Sequence, residues 1–406
     1  MQNMRAVIIG ASHAAAQLSA SLRQEGWQGE IIMIGNEPHL PYHRPPLSKT
    51  FLSGDKTIQD LLIRPASFYE KQQIQFIHGH VVGIDREKKM LTLAGGEHIA
   101  YTKLALCMGA RVRKLHIEGS QLKGVYYVRN AADITAIQQQ IPHAKHAVMI
   151  GGGYIGLETA ASLRKQGIQV SLLENAPRIL QRVTAPELSE FYTRIHQAQG
   201  VSIYHNMSIK RIVGSTQVEA VICANGQTIA ADLVIVGIGV QPNTELAETA
   251  GIDVDHGIVI DGYGRTNDPD IVAAGDCTTH FSPHYQRYIR LESVPNANEQ
   301  AKVAAATLCG KSKTYDALPW FWSDQYDIKL QIAGLNQGYD QLVIRGDRHN
   351  NDSFAVFYFK EKKLIAADCV NRPLEFMISK KIIHENIQID PDDFADETVD
   401  LKQLTQ

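Results

Sequence analysis

Residues 146–174, HAVMIGGGYIGLETAASLRKQGIQVSLLE, leave the least freedom for what this chain can fold into. The apolar run 147–150 has the length of a buried strand. A glycine turn follows, then a segment with helical periodicity, then a second apolar run ending on an acid. Gly151, Gly153 and Gly156 spell G-x-G-x-x-G, and Glu174 stands eighteen residues after the last of them. This order predicts a βαβ unit that holds a dinucleotide. The first glycine permits a tight turn, the second lets backbone approach a pyrophosphate, and the third lets the helix lie close to the strand. The free N–H groups at the helix N-terminus then face the phosphates.

The same design occurs upstream. Residues 5–10 (RAVIIG) read as a short strand, followed by a helix to about Gly26 and a strand over 30–34 leading into Gly35-Asn36-Glu37. Gly10 and Gly151 are 141 positions apart. That offset superposes Ala20-Ser21-Leu22-Arg23 on Ala161-Ser162-Leu163-Arg164, and Gly26 on Gly167 as a glycine stop for each helix. The first copy is degenerate, since Gly10-Ala11-Ser12-His13-Ala14-Ala15 reads G-x-S-x-x-A. Either Asn36 or Glu37 is positioned to hold an adenosine ribose. Matching apolar strands at 104–109 and 233–239, ending at Gly109 and Gly239, close the two units.

Two dinucleotide folds imply two dinucleotides, most simply a flavin and a nicotinamide brought together for hydride transfer. Glu174 favours NADH over NADPH, because a carboxylate accepts hydrogen bonds from ribose hydroxyls and repels a 2′-phosphate. Arg178 and Arg182 nearby pull the other way. In the proline-rich stretch 38–54, Pro41, Pro45 and Pro46 argue against helix, and Arg44 and Lys49 are cations for a flavin or nicotinamide site. Residues 258–277 give a strand ending in Gly275-Asp276, where a carboxylate beside an N–H suits a ribityl or phosphate-linked group; a helix is expected over 295–308.

Beyond Lys311 the composition changes, with Trp320 and Trp322 in PWFWSDQY. Strand-like runs follow at 328–333, 341–344, 354–359 and 363–367, then a helix over 373–383, and the acidic stretch 390–400 is expected at the surface.

With 406 residues the chain can bury two or three cores, and a net charge of −3 gives no reason to expect nucleic acid or an anionic membrane as partner. The five cysteines form no C-x-x-C, and the sixteen histidines read as scattered surface and core residues, so neither a disulfide framework nor a metal site is expected. The run 6–20 is broken by Gln17 and Ser19 and reads better as strand–turn–helix than as a signal peptide; no stretch is long enough to span a bilayer. A reducing, cytoplasmic compartment fits this cysteine usage.

Two-dinucleotide flavoenzymes of this order commonly reduce a disulfide or peroxide through cysteines just after the first βαβ unit. Here no cysteine precedes Cys107, and PYHRPPLSK fills that position, so electrons are expected to leave for an external acceptor. PYHRPPLSK, VMIGGGYIGLE, GDC, LESVPNANEQA and PWFWSDQY together resemble the oxygenase-coupled, NADH-dependent ferredoxin reductases, a branch of the glutathione-reductase-like flavoproteins.

The resemblance implies an α/β fold of two Rossmann-like domains plus a C-terminal α+β domain. The FAD domain would take 1–111 and 243–312, the NADH domain 112–242, and the C-terminal domain 313–406. It implies FAD contacts at Ser12, Ala14, Asn36 or Glu37, Arg44, Lys49, Val81, Arg129, Asp276 and Val294, with Gly10, Gly109 and Gly275 at the strand ends. NADH contacts would fall at Gly151, Gly152, Gly153, Tyr154, Ile155, Gly156, Glu158, Glu174 and Gly239, with Glu292 near the nicotinamide. Lys49 and Glu158 would pair beside the flavin, and Trp320 and Trp322 would cover it on the side where electrons leave. The implied reaction passes electrons from NADH through FAD, one at a time, to a small [2Fe–2S] ferredoxin serving a cytochrome P450 or a ring-hydroxylating dioxygenase. The rivals are a rubredoxin reductase, a flavin NADH oxidase, and an NADH-binding flavoprotein switch without steady turnover.

Overall fold

The computed structural model describes residues 4–403, in two compact units. The first comprises the chain up to residue 43 together with 58–111 and 241–319; the second comprises 44–57, 112–240 and 320 onward. The proline-rich segment 44–57, expected with the first βαβ unit, therefore belongs to the second. Residues 320–403 share that second unit with the glycine-rich stretch.

Each unit is built on a five-stranded parallel sheet. In the first the spatial order is Ile271–Ala273, Lys103–Leu106, Arg5–Ile9, Glu30–Gly35, Ile74–His78. The second runs Val125–Tyr127, Leu233–Val236, His146–Ile150, Gln169–Leu173, Val201–Tyr204; the last four repeat the first sheet's order, while the edge strand Val125–Tyr127 comes first in the chain where Ile271–Ala273 comes last. Both insert a three-stranded antiparallel ribbon before the strand that returns beside the first: Val81–Asp85, Met90–Leu93 and His98–Ala100 in one, Ile209–Val213, Ala220–Cys223 and Thr228–Ala230 in the other. The central strands are apolar without alternation because both their faces are covered, and Val7, Ile8, Val148 and Val234 are fully buried.

The repeated Ala-Ser-Leu-Arg has a physical reason. The helices His13–Glu25 and Tyr154–Lys165 both stop on a glycine with positive φ, Gly26 at +98° and Gly167 at +83°. The N–H of Gly26 donates to the carbonyl of Arg23 and that of Gly167 to the carbonyl of Arg164, while Trp27 and Ile168 reach back to Leu22 and Leu163. Arg23 then uses its guanidinium to bind the carbonyls of Trp27 (2.7 Å) and Gln72 (2.8 Å). Arg164 binds those of Ile168 (2.6 Å) and Gln199 (2.9 Å). Gln72 and Gln199 are the residues that end the next helix in each copy. One arginine thus ties two helix C-termini together in each copy, which neither a lysine nor a smaller residue could do.

The second unit also holds an antiparallel sheet in the order Trp320–Gln325, Ile328–Gly334, Lys363–Val370, Phe354–Lys360, Gln341–Arg345, with the helix Pro373–Glu385 packed on it. Three local expectations change. Pro45–Ser48 is a short 3-10 turn whose prolines occupy its first positions, where no N–H is needed. PWFWSDQY supplies a further strand, Trp320–Gln325. The acidic tail is not simply a surface segment, for Phe394 and Leu401 are buried and the Phe394 ring lies 4.5 Å from that of Phe357. The nearly buried Arg345 guanidinium donates to the carbonyls of Phe394, Asp396, Glu397 and Val399. Most of the tail's acids face solvent, while Pro391, Phe394 and Leu401 turn inward.

Replacing Arg345 by alanine is expected to free this tail. Amide protection across 391–401 should fall about 10–100-fold in hydrogen exchange, matching the ~1.5–3 kcal/mol of charge-assisted hydrogen bonds that are lost.

Candidate functional site

Both glycine turns are shaped for close approach. Gly10 has φ +119°, and a Cβ there would sit 2.0 Å from the Cys107 carbonyl oxygen; Gly151 has φ +104°, and its Cβ would meet the Gly237 oxygen at 2.4 Å. Each turn is therefore pressed onto the end of the neighbouring parallel strand, and no residue with a side chain could take either place. The helices that follow begin at Ser12 and Gly153, neither of which makes a side-chain cap, and neither helix has an acid in its first turn. Both N-termini thus keep the partial positive charge that an anionic pyrophosphate requires. On this geometry a dinucleotide fits each turn.

The two units differ in how the second strand meets the turn. Ile150 pairs with Leu173, so Glu174 is the next residue; Ile9 pairs with Ile34, so Gly35 takes the corresponding position. Glu174 turns its carboxylate onto the glycine loop, accepting from the N–H of Gly152 (2.7 Å) and the N–H of Ala176 (2.7 Å). In the first unit the packing is reversed, since a Cβ on Gly35 would lie 2.5 Å from the Ala11 methyl. Ala11 fills the space that Gly152 leaves for a carboxylate, and the acid is displaced two positions to Glu37. There Glu37 accepts from the Tyr42 hydroxyl at 2.6 Å, while Asn36 is exposed.

The first unit brings together Gly10, Ser12, Ala14, Gly275, Asp276 and Val294. A Cβ at Gly275 would meet the methyls of Ala14 (3.3 Å) and Ala297 (3.7 Å), so its strand end lies against the first turns of two helices, His13–Glu25 and Val294–Leu308. The second helix is capped by Ser293, which accepts from the Asn296 N–H at 3.3 Å, so Asp276 has no capping duty. Gly109 follows the strand Lys103–Leu106, and its carbonyl accepts from the N–H of Asn243 (3.0 Å). The Val81 side chain is in the core, leaving only its main chain for a ligand, and the Glu292 carboxylate is met by Arg290 at 2.7 Å.

In the second unit Arg44 donates to the carbonyl of Arg129 at 3.1 Å. Gly239 lies beside Arg113 and Arg182, whereas Arg178 is committed to Ser189 (2.6 Å) and to the carbonyl of Gln181. Ile155 and Ile238 are exposed apolar residues at the glycine turn and at the neighbouring strand end. Tyr154, in the first turn of its helix, has a hydroxyl that is buried without a hydrogen-bond partner.

Lys49 and Glu158 meet as expected, at 2.7 Å, with the Lys49 side chain 20% exposed and that of Glu158 only 3%. The sequence did not show what else holds the carboxylate. Ser48 Oγ donates to the oxygen that Lys49 uses (2.7 Å), and Ser323 Oγ donates to the other (2.7 Å). Ser162 also donates to the Ser48 carbonyl at 2.7 Å, so the loop is bound to the helix twice. The period-2 alternation of residues 320–325 was the available signal for Ser323.

The tryptophans are half-buried on the opposite face of that strand, with ring centroids 5.6 Å apart. Trp320 also lies 5.7 Å from the Phe376 ring, and the Lys380 ammonium stands 5.0 Å from its own ring.

A second buried carboxyl, Asp368, is 1% exposed. Burial raises its pKa from 3.8 to about 7, against the effect of the Tyr358 hydroxyl that donates to it.

The chain matches the family description pyridine nucleotide-disulphide oxidoreductase over residues 4–301 and the description reductase C-terminal over residues 320–405. It is 42% identical to putidaredoxin reductase of Pseudomonas putida, across 99% of this chain and 97% of that one. It is similar to the solved ferredoxin reductase for the CYP199A2 system of Rhodopseudomonas palustris, with 41% identity, a TM-score of 0.97 and 100% of both chains covered. Against the covalent putidaredoxin reductase–putidaredoxin complex the identity is 42% and the TM-score 0.96, covering 99% of this chain and 98% of that one.

The raised Asp368 pKa means that the folded chain binds this proton more tightly than the unfolded chain. Its contribution to stability is fully present below about pH 4 and is lost as the pH rises towards about 7. Asp368→Asn is therefore expected to match the wild-type melting temperature most closely near pH 4, and to exceed it by about 5 °C at pH 8. A difference independent of pH would contradict this assignment.

Proposed function

Because this chain belongs to the pyridine nucleotide-disulphide oxidoreductase family, we propose that it is an FAD-dependent NADH:ferredoxin oxidoreductase. It delivers electrons singly to a small [2Fe–2S] ferredoxin that serves a cytochrome P450 or a ring-hydroxylating dioxygenase. The observation that carries this reading is the state of the thiols. All five cysteines are free, the first of them is Cys107, and burial pushes the Cys107 and Cys369 thiols well up and that of Cys277 to about 11. The thiolate is the reactive species. A family named for disulphide chemistry thus has here no thiol suited to it, and an external carrier must take the electrons. The likeness to a reductase solved in complex with putidaredoxin supplies the class of that carrier.

Bound FAD supplies a group that accepts a hydride and gives up electrons one at a time. The residues of the chain bind, orient and exclude. We assign the FAD to Gly10, Ser12, Ala14, Glu37, Gly109, Gly275, Asp276 and Val294, with Arg44, Arg129 and Lys49 as its cationic contacts and the Val81 main chain as a further one. The NADH falls to residues 151–156, with Glu174 on the adenosine ribose and Gly239 and Glu292 towards the nicotinamide. Lys49, tethered by Glu158, holds a positive charge where negative charge develops on the reduced flavin. Trp320 covers the flavin on the side where electrons leave.

For the domains we propose the division the resemblance implied, except that residues 44–57 group with the NADH-binding and C-terminal parts. We place the protein in the cytoplasm, whose reducing state suits five free thiols. Among the described residues no helix is long and apolar enough to cross a membrane.

In stopped flow, protein reduced by NADH is expected to reoxidise faster with a [2Fe–2S] ferredoxin than with oxygen or rubredoxin. Preference for rubredoxin would transfer the assignment to that carrier, and preference for oxygen would make this an oxidase. Glu174→Gln should weaken NADH binding about 10-fold, the effect of losing one charge-assisted hydrogen bond, and narrow the preference over NADPH. Lys49→Ala should retain FAD and slow its reduction by at least about 10-fold.

A further inference from the structure

Alternation along the strand Trp320–Gln325 turns Phe321, Ser323 and Gln325 to one side. There Phe321 meets the Tyr154 ring at 5.0 Å and Ser323 reaches Glu158. Ser323 and Gln325 are both fully buried. Gln325 Nε2 contacts Ser323 Oγ at 3.2 Å, and Gln325 Oε1 contacts His196 Nε2 at 2.8 Å. His196, fully buried on the helix Pro186–Ala198, meets the half-buried Tyr326 hydroxyl through Nδ1 at 3.3 Å.

Burial pushes the His196 pKa down to about 4, so the ring is neutral, with one proton and one lone pair. The direction of every bond follows. An amide Nε2 only donates, so Ser323 Oγ accepts from Gln325 and directs its own proton to Glu158. An amide oxygen only accepts, so His196 carries its proton on Nε2. Its Nδ1 is then an acceptor, and Tyr326 donates to it. All four hydrogen bonds point the same way, from Tyr326 to Glu158.

We propose that Ser323 is a positioning residue for Lys49, and that Gln325 and His196 hold Ser323 in that role. This rests on the reading of Lys49 and Glu158 as a pair at the reacting centre. Ser48 and Lys49 both occupy one oxygen of the Glu158 carboxylate, so Ser323 is the group that fixes the other. Without it, a buried oxygen is left bare and the carboxylate is free to turn about its own bond, carrying the Lys49 ammonium with it. Misplacement of a catalytic group by about 1 Å costs on the order of 100-fold in rate. The polar chain also fixes which tautomer of His196 is present, so its integrity can be read without turnover.

The experiment uses FAD-loaded protein with Ser323→Ala, Ser323→Thr and Lys49→Ala. The limiting rate of flavin reduction by NADH is measured in single turnover, NAD⁺ affinity by titration, and the His196 tautomer by ¹⁵N NMR, with the signal identified by its loss in His196→Gln. Ser323→Ala should slow reduction about 10-fold while leaving NAD⁺ affinity within about twofold, and Ser323→Thr should restore the rate. Wild-type His196 should carry its proton on Nε2. A wild-type rate in Ser323→Ala alongside a slow Lys49→Ala overturns the proposal and leaves the Lys49 role intact. Failure of threonine to restore the rate, or a proton on Nδ1, overturns it as well. A wild-type rate in Lys49→Ala shows instead that the reading of the pair has failed, and the proposal falls with it.

Discussion

The carboxylate of Glu158 is the point on which the second unit depends. A carboxylate only 3% exposed must have its lone pairs satisfied, and here three donors from two other segments do so: Ser48 and Lys49 from the proline-rich loop and Ser323 from the C-terminal sheet. Glu158 itself stands in the helix that begins at the glycine turn. One buried charge therefore fixes loop, dinucleotide helix and C-terminal strand together. It also explains why residues 44–57 belong to the second unit although they follow the first βαβ in sequence. Ser48 and Lys49 of this segment are the residues that bind Glu158.

Around this point the two units use a common plan for different ends. Sheet order, antiparallel ribbon, glycine-stopped helix and arginine clamp recur in both. They part at the strand end, where Gly152 with Glu174 stands opposite Ala11 with Gly35. A methyl on the turn and a carboxylate on the strand cannot occupy the same space, so the choice made at one position dictates the other. In the second unit that choice leaves an acid, Glu174, on the glycine turn itself. In the first it moves the acid two residues on, to Glu37 under the Tyr42 hydroxyl.

Much of this was legible in the sequence, because both repeats announce themselves through residues with a single physical role. Gly10, Gly26, Gly151 and Gly167 are needed for their backbone conformations, and Glu174 is spaced by the length of one helix and one strand. The Lys49–Glu158 pair came from resemblance, since two residues more than a hundred positions apart carry no local signal. Ser48 and Gln325 were not legible, and Ser323 only through the alternation of its strand, because serine and glutamine are ordinary surface residues until the fold buries them. The docked tail was misread for a related reason. Its composition is acidic, whereas its packing rests on Pro391, Phe394 and Leu401, with Arg345 supplied from a strand some fifty residues earlier.

The central claim is that Glu158 transmits one constraint from Ser323 to Lys49, and coupling between those two residues tests it most directly. A double-mutant cycle on the limiting rate of flavin reduction, with Lys49→Ala and Ser323→Ala alone and combined, measures it. The double variant should be no slower than Lys49→Ala, because Ser323 has nothing left to position. Rate losses that multiply would mean that the two residues act independently, and would contradict the account.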